Sequence, residues 1–467
     1  MSLTDTISKY NDIINDFIWG PPMMILLMGA GIYFTLRLGF FQITKIKFIW
    51  DRTVKKMFKP SEGNGDIPSG QAALVGLAGI VGSGNIAGVA TAVASGGPGA
   101  LFWMWVAGFF GMGTKFAEIA LGIKYRVKKS DGTYSGGPMR FLSGGIKNKH
   151  IGKFLAVFYC LAAVLSYFGT VSMVDTNTIV NVITEKVGPH TLSNGTSLTT
   201  VIVAALLVII VGIIIFGGIK RLGHACEVIT PVMGIIYIVS GLIVIFANIK
   251  LLPGAFAEVF KSAFTAKAAV GGFAGAALSQ VMRYGMARGM YSNEAGLGSA
   301  AVTHSCAQVE NPAQQAIWAP VDIFLDTMLV NTITGIVIIM SGLWTSGADG
   351  AALTMNAFEA LLGSSIGGWM VLVSAILFGF TCLISTSYVC EQSATYLFGT
   401  NSKYVVRVLW LIFIVVGAFN EIELVWNIAD TVNGFLAIPN IIGLLILSNQ
   451  VISLKKDYFA SEELKAE

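Results

Sequence analysis

The stretch Val81-Gly82-Ser83-Gly84-Asn85-Ile86-Ala87-Gly88 breaks an otherwise apolar segment, 68–94, in its middle. A helix that only had to cross lipid would not carry three glycines, a serine and an asparagine there. Each glycine weakens a helix by about 1 kcal/mol relative to alanine. Each backbone group left unpaired in hydrocarbon costs several kcal/mol more. Such a break persists only where its amides and carbonyls meet protein, water or a ligand. A second stretch, Gly289-Met290-Tyr291-Ser292-Asn293-Glu294-Ala295-Gly296-Leu297-Gly298-Ser299, lies about 200 residues on and resembles it. Interrupted helices at matching places in two halves point to a transporter's binding site.

The composition agrees. The chain has 467 residues, 54% hydrophobic and 12% charged. Soluble domains carry about 25% charge, so the chain reads as an all-α polytopic membrane protein whose partner is the lipid bilayer. A net charge of +4 is no nucleic-acid signal, because the basic residues sit in loops. The five cysteines (Cys160, Cys226, Cys306, Cys382, Cys390) have no C-x-x-C spacing and read as packing residues. Asp5, Asp12 and Asp16 with one early lysine do not make the basic start of a cleaved signal peptide.

Eleven segments approach the roughly 20 apolar residues that a span needs: 19–38, 68–94, 98–123, 154–184, 198–216, 223–247, 270–299, 314–341, 366–398, 404–420 and 424–449. The 154–184 segment is long enough to tilt. Lysine and arginine crowd the alternate loops 39–67 and 124–153 and recur at Lys220–Arg221, Lys403–Arg407 and Lys455–Lys456. The opposite loops are poorer, with Lys186 in one and Lys250, Lys261 and Lys267 in another. The positive-inside rule then puts the N-terminus outside a cell membrane and the C-terminus in the cytoplasm. Residues 40–58 interleave aromatic and basic residues like an interfacial helix. Residues 353–362 suggest a second short surface helix, outside.

Residues 1–67 form an N-terminal span and an amphipathic segment. Ten spans remain, five in 68–247 and five in 270–449, joined by 248–269 and followed by a tail, 450–467. Each half opens on a glycine-broken helix. An odd number of spans per half inserts the halves in opposite senses, a 5+5 inverted repeat.

Gly96-Gly-Pro-Gly-Ala-Leu-Phe-Trp-Met-Trp-Val-Ala-Gly-Phe-Phe-Gly111 resembles the signature stretch of the alanine or glycine:cation symporters, the sodium/alanine carriers of bacteria and archaea. Gly82-Ser-Gly-Asn-Ile-Ala-Gly-Val-Ala90, Gly136-Gly-Pro-Met139, Ala287-Arg-Gly289, Ser292-Asn-Glu-Ala-Gly-Leu-Gly-Ser299 and Asp326-Thr327 are similar to that family too. The resemblance runs over about 68–400. It implies the leucine-transporter fold with one added N-terminal helix, and sodium-coupled uptake of small neutral amino acids such as alanine or glycine. The coupling ion would be Na+.

A free amino acid needs donors for its carboxylate and acceptors for its ammonium, and a broken helix offers both. Ser83, Gly84, Asn85 and Ile86 are candidates at the first break. Gly82-Ser-Gly-Asn85 also resembles the Gly-x-Gly-Asn break of the leucine transporter. Tyr291, Ser292 and Asn293 are candidates at the second, Tyr291 as an aromatic wall and Asn293 as ligand contact or cap. Glu294 is placed to join the two breaks. The resemblance suggests a sodium site of Ala78 and Val81 carbonyls with Thr381. Its fourth member, Cys382, stands where relatives more often carry a hydroxyl. Asp175 lies in an apolar run where the family more often has Gln, and is a candidate contact for the ammonium, a polar side chain or a cation. Ser385-Thr386-Ser387-Tyr388 replaces the family's Gly-Trp-Ser-Tyr, so Thr386 removes a pocket wall and adds a hydroxyl. These departures leave two alternatives: a larger or more polar substrate such as glutamine, or proton coupling through Asp175.

Other polar residues have structural readings. Lys115 and Glu118, three apart on one helix, neutralise each other. Arg283 and Arg288 are costly to bury, about 2.5–3.5 kcal/mol each, and pair with carboxylates, at gates. Asp322 and Asp326 share a helix face, in packing or gating. Four histidines (His150, His190, His224, His304) show no metal-ligand spacing, and no nucleophile–base set is visible, so the chain is not read as an enzyme.

Overall fold

The computed structural model describes residues 3–192, 195–265, 274–420 and 423–464. Among these, nine helices are long and apolar enough to cross a membrane. Ser69–Ile80 and Gly84–Gly96, bent by 50° across the break, make a tenth. The eleventh expected span, 270–299, contains the helix Ala274–Asn293; its first residues and Lys267 lie outside the described residues. The protein is a multi-pass membrane protein.

Its helices end where the sequence allows. Asn148 caps Lys149–Tyr167 by accepting from the amides of His150 and Ile151, and Ser197 caps Leu198–Phe216 through Thr200. The 154–184 segment is one path of 39 residues, Lys149–Val187, loosened at Phe168–Met173 into a π-helical turn. Two further π-turns occur, at Gly84–Gly88 and Phe324–Val330. Such turns shift a helix face by a fraction of a turn and gather at functional sites. All three surround the breaks described below.

The N-terminal span, Pro21–Arg37, follows a separate helix, Leu3–Ile18, which packs on the helix Glu423–Ile446. Phe41–Thr44 and Ile46–Arg52 form the amphipathic segment, with Ile43, Ile46 and Trp50 exposed. The helix Gly350–Leu362 corrects the surface reading of 353–362. Leu353, Met355, Ala357 and Phe358 are buried, and Thr354 Oγ1 donates to the Ile86 carbonyl at 2.9 Å. Its apolar face therefore packs on the first break instead of lying on the surface. All five cysteines are buried and free, as packing residues.

Close helix crossings rest on glycine. A Cβ on Gly122 would lie 2.4 Å from the Ala301 carbonyl oxygen, whereas one on Gly29 would meet nothing within 4 Å. Gly122→Val is expected to cost about 1–3 kcal/mol or more by overpacking, read as a lowered unfolding temperature of the purified protein. Gly29→Val should leave that temperature unchanged.

Candidate functional site

The first break begins at Val81, whose extended backbone (φ −81°, ψ 92°) ends the half-helix Ser69–Ile80. The second begins at Glu294, whose φ of +53° is left-handed, a costly conformation for a side-chain residue. Gly296 and Gly298 follow with φ of +102° and +88°, before the short helix Ser299–Thr303. Only a chain held firmly by its neighbours keeps this geometry.

Asn85 joins the two breaks. Its Oδ1 accepts from the Gly82 amide at 2.8 Å. Its Nδ2 lies 2.6 Å from Asp326 Oδ1, 2.8 Å from Asn331 Oδ1 and 3.2 Å from Ser292 Oγ. Ser292 Oγ donates in turn toward Asp326, and Thr327 Oγ1 donates to Asp326 Oδ2 at 2.7 Å. Asn293 does the cap's work: its Oδ1 accepts from the Ala295 amide at 3.0 Å, while Nδ2 donates to Thr327 Oγ1.

Glu118 and Lys115 do not pair as the spacing suggested. Glu118 Oε1 instead accepts from the amides of Gly296 (2.9 Å) and Gly298 (3.0 Å) and from Asn440 Nδ2 (2.6 Å). Two aligned amides of the broken helix outcompete a flexible ammonium one turn away. Lys115 Nζ turns to the Asn293 carbonyl (3.4 Å) and to Asp322 (3.7 Å).

Between the breaks lies a cavity of about 30 Å³, lined by Gly79, Ile80, Gly82, Ser83, Gly84, Thr170, Val171, Asp175, Tyr291, Ser292, Glu294, Cys382 and Asn433. It holds about two water-sized spheres. Ser83 Oγ donates to Asp175 Oδ1 at 2.5 Å, and Ser299 Oγ donates to Glu294 Oε2. Ser83, Gly84, Asp175, Tyr291 and Ser292 are thus brought together, and Glu294 with them. Asn85, Ile86 and Asn293 are placed behind the wall, as its supports. Thr170 and Asn433 line the cavity without having been singled out; Thr170 sits in the π-turn that no sequence period reveals.

Thr386 also departs from expectation. It lies one turn from Cys382 and off the cavity wall, its Oγ1 donating to the Cys382 carbonyl at 2.6 Å. Of the four residues proposed for sodium, Ala78 and Val81 are buried at the end of the half-helix. Thr381 Oγ1 faces the Met233 sulfur (3.1 Å) and the carbonyls of Leu377 and Phe378, and Cys382 Sγ donates to the Gly79 carbonyl (3.3 Å). Thr381 Oγ1 is thus taken up by Met233 and its own helix in this arrangement, while Cys382 lines the cavity at the break.

A second cavity, about 230 Å³, shares Tyr291 with the first and is lined by Asn15, Asp16, Trp19, Arg283, Tyr284, Ala287, Arg288 and Asp430. Both arginines have the carboxylate neighbours expected of them: Arg283–Asp16 at 2.6 Å and Arg288–Asp430 at 4.0 Å. The Arg288 guanidinium also lies 5.7 Å over the Tyr291 ring. One aromatic side chain and one loose ion pair thus separate the central cavity from this vestibule. The opposite face is thicker. Ser385 Oγ donates to the Val75 carbonyl (2.6 Å), and Gln71 Nε2 to Glu227 (2.6 Å). Ile67–Pro68 pair in parallel with Ala307–Gln308, and Arg126 braces Ser305 and Ala307.

Charge is unevenly placed. Eight carboxylates are buried among the described residues. Three have an arginine beside them: Glu391 with Arg407, Asp430 with Arg288, Glu462 with Arg52. Of the other five, Glu118, Asp175, Glu294, Asp322 and Asp326, only Asp322 has basic side chains at ion-pair distance among the described residues, Lys115 at 3.7 Å and His304 at 3.1 Å. Buried charge is tolerated only when compensated. This interior is built to take up positive charge.

Comparison with known proteins agrees. Residues 4–467 match the sodium:alanine symporter family. The sodium/alanine symporter AgcS of Methanococcus maripaludis is 40% identical over 97% of this chain and 97% of its own. The probable sodium/glutamine symporter GlnT of Bacillus subtilis is 36% identical over 96% and 89%. The crystal structure of MhsT with L-phenylalanine superposes with a TM-score of 0.60 at 14% identity, covering 85% of this chain and 93% of MhsT. That likeness shows the leucine-transporter fold.

Asn85→Ala strips the Gly82 amide and Asp326 of a buried partner. The expected cost is about 1–3 kcal/mol, visible as a lower unfolding temperature. Unchanged stability would show that the two breaks are held by other contacts.

Proposed function

The chain belongs to the sodium:alanine symporter family, whose members are cation-coupled amino-acid symporters, and we propose that it takes up a small neutral amino acid with Na+ by alternating access. The observation that carries this reading is the excess of buried carboxylates around the two breaks. An amino-acid ammonium and a cation supply the charge that Lys115 alone does not. The carboxylate of the same amino acid attracts the cation in turn, so each is held better in the presence of the other, and that mutual dependence is coupling.

Asp175, beside Ser83 on the cavity wall, is assigned to the ammonium. The amides of Ser83 and Gly84 open the second half-helix and are assigned to the carboxylate, where a helix N-terminus favours negative charge. Tyr291 closes over the substrate, and Ser292 completes the wall. Sodium prefers hard oxygen ligands. Asp326, Ser292, Thr327 and the Asn331 amide oxygen gather such atoms under the break, against a carboxylate with no basic partner within ion-pair distance. That cluster is assigned as one cation site. Ala78, Val81, Thr381 and Cys382 are a second, which requires Thr381 to turn from Met233. The closely set walls of the cavity support a small side chain, so alanine or glycine is assigned before glutamine. On the strength of the lysine-rich loops, the N-terminus and the Tyr291 vestibule are assigned to the outside and the thick face of Ser69 to the cytoplasm. The half boundaries at 68–247 and 270–449 are assigned as the inverted repeats.

Reconstituted protein should concentrate labelled alanine when an inward Na+ gradient is imposed. Glycine should compete, and glutamine should not. Transport that persists without Na+ and follows a proton gradient would replace this reading with proton symport. Asp175→Asn should lower kcat/KM for alanine at least about tenfold, chiefly through KM, since it removes a charge-assisted hydrogen bond of about 1.5–3 kcal/mol. An unchanged KM would remove Asp175 from the ammonium.

A further inference from the structure

We propose that His304 is a proton-binding site whose occupation releases the first half-helix, Ser69–Ile80, from its seat. The inference goes beyond transport itself and stands on a separate set of contacts.

His304 is fully buried. Its Nε2 lies 3.1 Å from Asp322 Oδ2, and its Nδ1 lies 3.0 Å from Gln315 Nε2. Which of these atoms donates is settled by Ser69, at the start of the half-helix. Gln315 Nε2 lies 3.1 Å from the Ser69 carbonyl oxygen, which only accepts. Gln315 Oε1 accepts from Ser69 Oγ at 2.5 Å, and Trp318 Nε1 donates to the same hydroxyl at 3.1 Å. The Gln315 amide is therefore oriented by the main chain. Its NH2 faces Nδ1, so Nδ1 accepts, which leaves the ring hydrogen on Nε2; that atom approaches Asp322 Oδ2 to 3.1 Å without hydrogen-bond alignment.

Protonation puts a second N–H on Nδ1, facing an N–H of Gln315. The amide restores a hydrogen bond to His304 only by turning over. Its oxygen then faces the Ser69 carbonyl, acceptor against acceptor, and the bond to that carbonyl is lost, while the Ser69 hydroxyl is left to accept from both the amide and Trp318. A proton on His304 and the Ser69 carbonyl therefore compete for the orientation of one amide. The ring also packs directly on the half-helix: a Cβ on Gly76 would fall 2.4 Å from Nε2.

The surroundings admit the added charge. Gly99–Lys124 presents Lys115, 3.7 Å from Asp322, and Glu118 one turn on. Ala319–Ile323 presents Asp322, and Pro312–Ala316 the neutral Gln315. Arg126 reaches the main chain beside the ring, at the Ser305 carbonyl (2.8 Å) and the Ala307 carbonyl (2.7 Å). Cys306 on the same turn has Cys226, Tyr388 and Asp66 near it, and the Asp66 carboxylate is offset by Arg126. The half-helix itself brings no ionisable group to the ring. One lysine against Glu118 and Asp322 leaves a single negative charge, which one proton on His304 balances. Because Ile80 at the other end of the half-helix lines the central cavity, a proton here reaches the substrate site through one rigid element.

The test is amide hydrogen exchange of residues 64–76, corrected for intrinsic rate. Full-length protein in lipid nanodiscs, without Na+ or amino acid, is taken from about pH 8 to about pH 5.5, across the ordinary histidine range. Wild-type protein should lose protection there about tenfold, with residues 99–112 unaffected. His304→Gln should abolish the pH response. Gln315→Glu sets an oxygen against the Ser69 carbonyl at every pH, so residues 64–76 should already exchange about tenfold faster at about pH 8 and show no further response on acidification; this variant decides if His304→Gln does not fold. Protection independent of pH in the wild type, or an unaltered response in either folded variant, overturns the proposal. None of these readings depends on transport.

Discussion

The Asn85 side chain is the contact on which the rest of the site depends. It holds the Gly82 amide with its oxygen and presents its nitrogen to Asp326, Asn331 and Ser292. Two interrupted helices from opposite halves of the chain are thereby locked in one relative position. A broken helix in a membrane must find partners for its backbone. Here each break finds them partly in the other half: Asn85 with the second, and Glu118, of the first half, on the amides of Gly296 and Gly298. Neither half would keep its break alone. The substrate cavity is the small space left between them.

The same arrangement explains why the site is negative. Carboxylates are the acceptors that backbone amides, hydroxyls and amide side chains need, and Glu118, Glu294, Asp326 and Asp175 each serve in that way. Buried together, they leave an interior whose charge is completed by cargo. A Tyr291 wall and a long Arg288–Asp430 contact are slight barriers beside the bonded layer under Ser69. The two faces of the cavity therefore differ in what must break for it to open.

Much of this was legible in order along the chain. Glycine and polar residues inside apolar runs mark both breaks, because such residues have no reason to sit in plain lipid-spanning helices. Ser83, Gly84, Tyr291 and Ser292 reach the wall from within these breaks, and Asp175 reaches it from an apolar run of another span. Arg283 and Arg288 find carboxylates at the partly exposed wall of the vestibule. Other residues were misread for identifiable reasons. Lys115 and Glu118 are suitably spaced to pair, but two aligned amides of a distant helix are better partners for the carboxylate. Thr386 shares a helix with Cys382, yet one turn of advance takes it off the wall. Thr170 and Asn433 carried no signal, since a π-turn and a helix crossing placed them there.

By itself, the sequence determined that the chain spans a membrane repeatedly, that two of its spans are interrupted, and which polar residues lie at the interruptions. These follow from local chemistry: hydrocarbon admits only paired backbone, and glycine and asparagine disturb that pairing wherever they stand. Only the tertiary structure decided which groups meet. Asn85 reaching Asp326 across 241 residues, Glu118 capping a helix end 178 residues away, and His304 reading the orientation of Gln315 through Ser69 all depend on how helices cross. Hydrogen bonds between distant segments are directional and fall away within a few tenths of an ångström. No periodicity along a chain encodes that distance.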